Sequence, residues 1–148
     1  MTKYFTNNYP VLNIYKSPYK KSEVVTQILY GESFQIYKKT SKWLQIKIKE
    51  DSYKGYLQNR HYSDYLIPTH KISVLKANIY KFPNKKKKIS ELSFGSKFKI
   101  SKKKNNFLRF EKGWIDRKNV KPLKFKEKDI FKKIFIFKNI KYKWGGKS

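Results

Sequence analysis

The 148-residue sequence contains no cysteine, which excludes a disulfide scaffold, a thiolate-ligated metal site and a cysteine nucleophile within it. Alanine occurs once, at Ala77, which argues against a fold built on packed helices. Acidic residues are scarce: 10 Asp plus Glu stand against 37 Lys plus Arg, a formal net charge of +27. Arginine hardly contributes to that excess, being confined to Arg60, Arg109 and Arg117. Arg is the residue whose planar fork pairs with phosphate and guanine, whereas Lys is a hydrated point charge, so the bias argues against dedicated nucleic-acid recognition. Lys, Asn, Ile, Phe and Tyr share A/T-rich codons, and a compositional drift of the genome produces the same excess. No run of apolar residues approaches a membrane span, and MTKYFTNNYPVLNIY lacks the basic, apolar and small-residue parts of a secretory signal. We expect a soluble protein without membrane contact, placed in the cytoplasm in preference to the cell envelope if Met1 is the true start.

What is present is enough to fold. Hydrophobic residues make up 39% and aromatics 18% of the chain, too much core material for a disordered polymer. Divided at its Pro-containing joints, the chain carries 11 basic and 5 acidic residues over 1–68, 17 and 3 over 69–123, and 9 and 2 over 124–148. The excess is concentrated in the middle section, at Lys85 to Lys88 and Lys102 to Lys104. Each cluster sits beside Asn and between alternating apolar segments, as a solvated turn or as protection of a sheet edge does.

The sequence also repeats itself. Ile14-Tyr15-x-x-Pro18, an apolar stretch to Gly31 and Phe34-x-Ile36 are matched by Ile79-Tyr80-x-x-Pro83, an apolar stretch to Gly95 and Phe98-x-Ile100. Trp43-Leu44-Gln45-Ile46 is then matched by Phe107-Leu108-Arg109-Phe110, and Gly55-Tyr56-Leu57 by Gly113-Trp114-Ile115. Apolar residues in both copies alternate with a period of two, the pattern of half-buried antiparallel strands. The reading is a mainly β protein of two tandem small β-barrels, about five strands each, over 1–68 and 69–123, because closing a small sheet removes its exposed edges. From Lys124 the spacing of Ile130, Phe131, Ile134 and Phe135 changes to that of a short amphipathic C-terminal helix, with Asp129 near its start.

In this order, the two copies resemble the bacterial SH3 (SH3b) domain, whose small barrels bind cell-wall peptide or position a catalytic domain. The tail Tyr142-Lys143-Trp144-Gly145-Gly146-Lys147-Ser148 is similar to the opening of NlpC/p60 cysteine peptidases, which cleave peptidoglycan stem peptides and which tandem SH3b domains commonly precede. In that family the segment runs within a few residues into Gly-x-Asp-Cys-Ser, whose Cys is the nucleophile. The resemblance implies that residues 124–148 are the incomplete start of a catalytic domain, that the chain is cut off before the nucleophile, and that it does not hydrolyse anything as given. Its partner is then a stem peptide or muropeptide, with no cofactor and no metal.

The resemblance also names residues. Tyr142 and Trp144 match the mouth of the family's catalytic cleft, where Gly145 and Gly146 allow close backbone approach. In some relatives the first barrel supplies a wall of that pocket, which makes Tyr53 and Tyr56 candidates. Trp43, Tyr56 and Trp114 read first as core aromatics, and His61 and His70 as ordinary surface or turn residues, since no Cys or Ser-Asp arrangement accompanies them. The alternative is a non-enzymatic tandem module that binds nucleic acid or another polyanion through its Lys clusters, with steep salt dependence.

Overall fold

The computed structural model describes residues 3–123, so the expected C-terminal helix and Tyr142, Trp144, Gly145 and Gly146 lie outside the described residues. Within those residues the chain divides into two compact units, 3–66 and 67–123. Both are built almost wholly of strands.

Unit 1 holds β1 (Tyr4–Thr6), β2 (Val11–Tyr15), β3 (Val24–Leu29), β4 (Ser33–Lys39), β5 (Trp43–Ile48), β6 (Lys54–Gln58) and β7 (Ser63–Asp64). They form one curled antiparallel sheet in the order β3-β2-β6-β5-β4-β1-β7. The alternation read from the sequence decides what it encloses: Leu44, Ile46 and Ile48 of β5 face the core with Ile14, Ile28, Phe34, Leu57 and Tyr62, all at most 9% exposed. Asn7, fully buried, is satisfied by donating through Nδ2 to the carbonyls of Tyr9, Ile28 and Leu29 at 3.1–3.3 Å. It thereby ties the segment after β1 to the end of β3.

Unit 2 holds β8 (His70–Ile72), β9 (Lys76–Tyr80), β10 (Lys88–Ser93), β11 (Lys97–Phe98), β12 (Lys102–Lys104), β13 (Phe107–Phe110), β14 (Gly113–Asp116), a 3₁₀ turn (Arg117–Asn119) and β15 (Val120–Pro122). A five-stranded sheet, β10-β9-β14-β13-β12, accompanies a three-stranded one, β11-β8-β15. Ile72, Ala77, Ile79, Leu92, Phe110 and Ile115 are at most 2% exposed and form the core. The only alanine of the chain is thus a core residue of a strand, directly opposite Leu92.

Two expectations need correction. Among the described residues unit 1 has seven strands and unit 2 eight, not five each, because β1 and β7 in unit 1 and β8, β11, β12 and β15 in unit 2 are pieces of two or three residues, too short to show a period. Lys102–Lys104 is not a turn: it is β12, the edge of the five-stranded sheet, and the turn is Asn105-Asn106, with Asn105 at φ 55°. Lysines on an edge strand discourage pairing with another chain, which is the protective role weighed for them.

The internal repeat extends to strand register. In the β5–β6 hairpin, Trp43 lies opposite Gln58, Leu44 opposite Leu57, Gln45 opposite Tyr56 and Ile46 opposite Gly55. In β13–β14 the same places are held by Phe107 and Asp116, Leu108 and Ile115, Arg109 and Trp114, and Phe110 and Gly113.

Candidate functional site

Residues directly opposite in an antiparallel pair point to the same face. Since Leu44, Ile46 and Leu57 point inward, Trp43, Gln45, Tyr56 and Gln58 point outward. Tyr15, at the end of β2, pairs with Tyr56 and joins that face. The Tyr15 and Trp43 rings meet edge to face, 5.5 Å between centroids and 86° between planes. This outer aromatic surface is half-buried, not core, which departs from the core reading of Trp43 and Tyr56; Trp114, in contrast, is buried as expected.

Three connections close around that surface. The β2–β3 loop brings Tyr19, 58% exposed, and is braced by the Ser17 amide donating to Ser22 Oγ at 2.9 Å. The β4–β5 turn is held to the segment after β6: the Asn59 amide donates to the Lys42 carbonyl at 2.9 Å, and Asn59 Nδ2 to the Thr40 carbonyl at 2.9 Å. Between them opens a groove of about 580 Å³ lined by Tyr19, Lys20, Lys42, Trp43, Gln58 and Arg60. Gln58 and Arg60 also line a second recess of about 330 Å³ with Asn13, Tyr15 and Gln27, so the two adjoin.

Arg60 stands between the recesses. Its Nη2 donates to Gln58 Oε1 at 3.1 Å, and its guanidinium lies 5.1 Å from the centre of the Tyr9 ring. Beneath it, the buried Tyr62 hydroxyl donates to the Gln58 carbonyl at 2.7 Å, and burial pushes the Tyr62 phenol far above its ordinary range, so it stays a donor. The backbone that carries Gln58 and Arg60 is therefore anchored from the core. An aromatic wall, side-chain amides and a held guanidinium suit an extended ligand with small apolar groups, amide bonds and carboxylates.

The structure thus brings Tyr56 together with Tyr15 and Trp43 but leaves Tyr53 elsewhere. Tyr53, 51% exposed, sits in the β5–β6 turn, its carbonyl accepting from the Ile48 amide at 2.8 Å. Four strand residues, roughly 13 Å, separate that end of the hairpin from the Trp43–Gln58 end. Tyr15, Tyr19, Gln58 and Arg60 were not singled out from the sequence. The alternation that buries Ile14 already turns Tyr15 outward, but nothing in the sequence announces that three loops converge beside it.

Unit 2 has its own cleft at the matching register. Tyr80 pairs with Trp114, and its ring meets that of Phe107 edge to face at 6.1 Å and 84°. Beside them lies a cleft of about 900 Å³ whose lining includes Lys85, Lys103, Asp116, Arg117, Lys118 and Lys121. Asp116 caps the 3₁₀ turn, accepting from the Lys118 amide at 3.1 Å, and its Oδ2 lies 3.6 Å from Lys85 Nζ and 3.9 Å from Lys118 Nζ. His70 lines the same cleft, with Nδ1 2.8 Å from Thr69 Oγ1, and burial lowers its pKa from 6.5. His61 is exposed, and its carbonyl accepts from the Tyr9 hydroxyl at 3.2 Å. Among the described residues no group of acidic or histidine side chains is placed to hold a metal ion, and no helix is long and apolar enough to cross a membrane.

Residues 14–61, within unit 1, match the family model of the bacterial dipeptidyl-peptidase SH3 domain, and the match runs from Ile14 through Trp43, Tyr56 and Arg60. No curated protein sequence matches the chain. Among solved structures, an NlpC/p60 family protein from Bacillus cereus superposes with a TM-score of 0.76 at 13% identity, over 97% of this chain and 66% of that one. The likeness is one of fold, and the chain spans just under two thirds of that protein's length. NlpC2 and NlpC1 of Trichomonas vaginalis align at 16% identity with TM-scores of 0.34 and 0.35, over 81% and 84% of this chain and 47% and 46% of theirs.

Proposed function

We propose that the chain is a binding and positioning module of an NlpC/p60-type cell-wall peptidase, and that the unit 1 groove takes the stem peptide of peptidoglycan. The observation that carries this reading is the joined pair of recesses along Tyr15, Trp43, Gln58 and Arg60, all inside the segment that matches a peptidase-associated SH3 domain. Stem peptides are short, rich in small apolar side chains and end in free carboxylates. The aromatic wall covers the former, and Arg60, Lys20 and Lys42 meet the latter. We read each unit as a small SH3-type barrel, which the shared hairpin register supports, and residues 124–148 as the start of the catalytic domain, with Tyr142, Trp144, Gly145 and Gly146 at its mouth. The 148 residues contain no thiol, so the chemistry of such a peptidase is not theirs to supply.

Calorimetric titration with a soluble muropeptide tests the assignment. Trp43→Ala and Arg60→Ala are each expected to weaken binding about tenfold or more, in keeping with aromatic and Arg anchors. Tyr53→Ala, at the far end of the hairpin, is expected to leave it unchanged. Undiminished affinity in the Trp43 and Arg60 variants overturns the groove assignment.

A further inference from the structure

We propose that the unit 2 cleft binds an anionic polymer of the phosphodiester-linked polyol class, a second site whose ligand differs from that of the unit 1 groove. Its position is the same by register: Phe107 opposite Asp116 stands where Trp43 opposite Gln58 stands in unit 1. Its chemistry has diverged. Among the described residues the lining holds five cations, Lys85, Lys103, Arg117, Lys118 and Lys121, and one carboxylate, Asp116.

That carboxylate is already committed to the 3₁₀ turn and to Lys85 and Lys118, and it holds those two ammonium groups close together over the cleft floor. Lys103 and Arg117 are exposed and make no ion pair among the described residues. Lys103 and Arg117 beside the paired Lys85 and Lys118 leave an excess of positive charge at the cleft, and an anion that enters it reduces their mutual repulsion. Four of the five cations are lysines, which meet phosphate as point charges, without the bidentate Arg contacts that mark dedicated nucleic-acid recognition. Asn106 and Asp116 offer acceptors to ligand hydroxyls.

Other occupants fit less well. Residues 124–148 carry 9 basic and 2 acidic side chains, and a second copy of a +27 chain brings no complementary face. Single-stranded nucleic acid binds by stacking bases on exposed aromatics. Among the described residues, Phe107 is the one Phe, Tyr or Trp lining the cleft, and its ring is already half-buried and packed against Tyr80.

The test is a titration of the whole chain with poly(glycerol phosphate), against poly(U) RNA of equal charge and neutral dextran, at two salt concentrations. We expect the polyol phosphate to bind more tightly than RNA and dextran not at all, with a log–log salt slope of roughly −3 for about four neutralised phosphates. Lys103→Glu with Arg117→Glu should weaken binding about tenfold or more. The charge-matched pair Lys16→Glu with Lys38→Glu, exposed in unit 1 and outside both recesses, should change it less than about twofold. Lys103→Gln with Arg117→Gln provides the same reading if the Glu pair fails to fold. No binding, tighter binding of RNA, or an equal loss in the control pair overturns the proposal. A muropeptide titration failing in unit 1 leaves these outcomes unaffected, so the two assignments fall separately.

Discussion

Gly55 and Gly113 occupy matching places where one strand crosses close over another. A Cβ at Gly55 would stand 2.5 Å from Ile14 Cγ2 and 2.8 Å from the Tyr15 carbonyl oxygen, and one at Gly113 would stand 2.6 Å from the Tyr80 carbonyl oxygen. A backbone carbonyl stands in the way at each place, joined at Gly55 by the buried Ile14 methyl, so an added methyl displaces the strand that presents Tyr15 or Tyr80. Gly55→Ala and Gly113→Ala are each expected to cost about 1–3 kcal/mol in urea unfolding; stability equal to that of the parent would contradict the packing. His70 sets a pH dependence at the same scale. Burial lowers its folded pKa below 6.5, so the unfolded chain takes up the proton first. Its contribution is fully present above pH 6.5 and is lost as pH falls through that value towards the folded pKa. Unfolding midpoints should therefore fall between pH 8 and pH 5, and His70→Gln should reduce that fall. A variant with the parent's full pH dependence would place its origin elsewhere.

At the scale of elements, the outer aromatics of unit 1 follow from a period of two. Burying Ile14, Leu44, Ile46 and Leu57 leaves Tyr15, Trp43 and Tyr56 on the outer, half-buried face, whereas at the matching places of unit 2 Tyr80 and Trp114 are buried and Phe107 is half-buried. The repeat and its alternation were legible in the sequence, but Trp43 and Tyr56 read there as core aromatics, because alternation does not show how much of an outer face the neighbouring loops cover. Two things were hidden. Lys102–Lys104 has no apolar residue to mark a strand, so the edge strand β12 showed only as a charge cluster. The short strands β1, β7, β8 and β15 are fixed by partners far along the chain, as Phe5 is by Phe34 and by Asp64. If β12 protects its edge, Lys102→Val with Lys104→Val should produce concentration-dependent association in sedimentation experiments while the parent stays dispersed. Equal behaviour of the two proteins would remove the protective role.

For the molecule as a whole, the formal charge is +27, and among the described residues it is unevenly placed. In unit 2 it gathers along one cleft and one sheet edge; in unit 1 three cations flank an aromatic groove. The family resemblance was carried by Ile-Tyr-x-x-Pro and Gly-Tyr-Leu, which are landmarks of the fold. The groove needs Tyr19, Asn59 and Arg60 brought together from loops with no period of their own, so none of its lining aromatics, Tyr15, Tyr19 and Trp43, was a binding candidate from the sequence; Tyr56, which was, lies beside Tyr15 on the same sheet face. The measurement that bears most directly on the central claim is a titration of the ¹⁵N-labelled chain with a muropeptide, followed amide by amide. Saturable shifts at Tyr15, Tyr19, Trp43, Tyr56 and Arg60, absent in Trp43→Ala, are the predicted result. No saturable shift, or shifts confined to Lys103, Arg117 and their neighbours in unit 2, would contradict it.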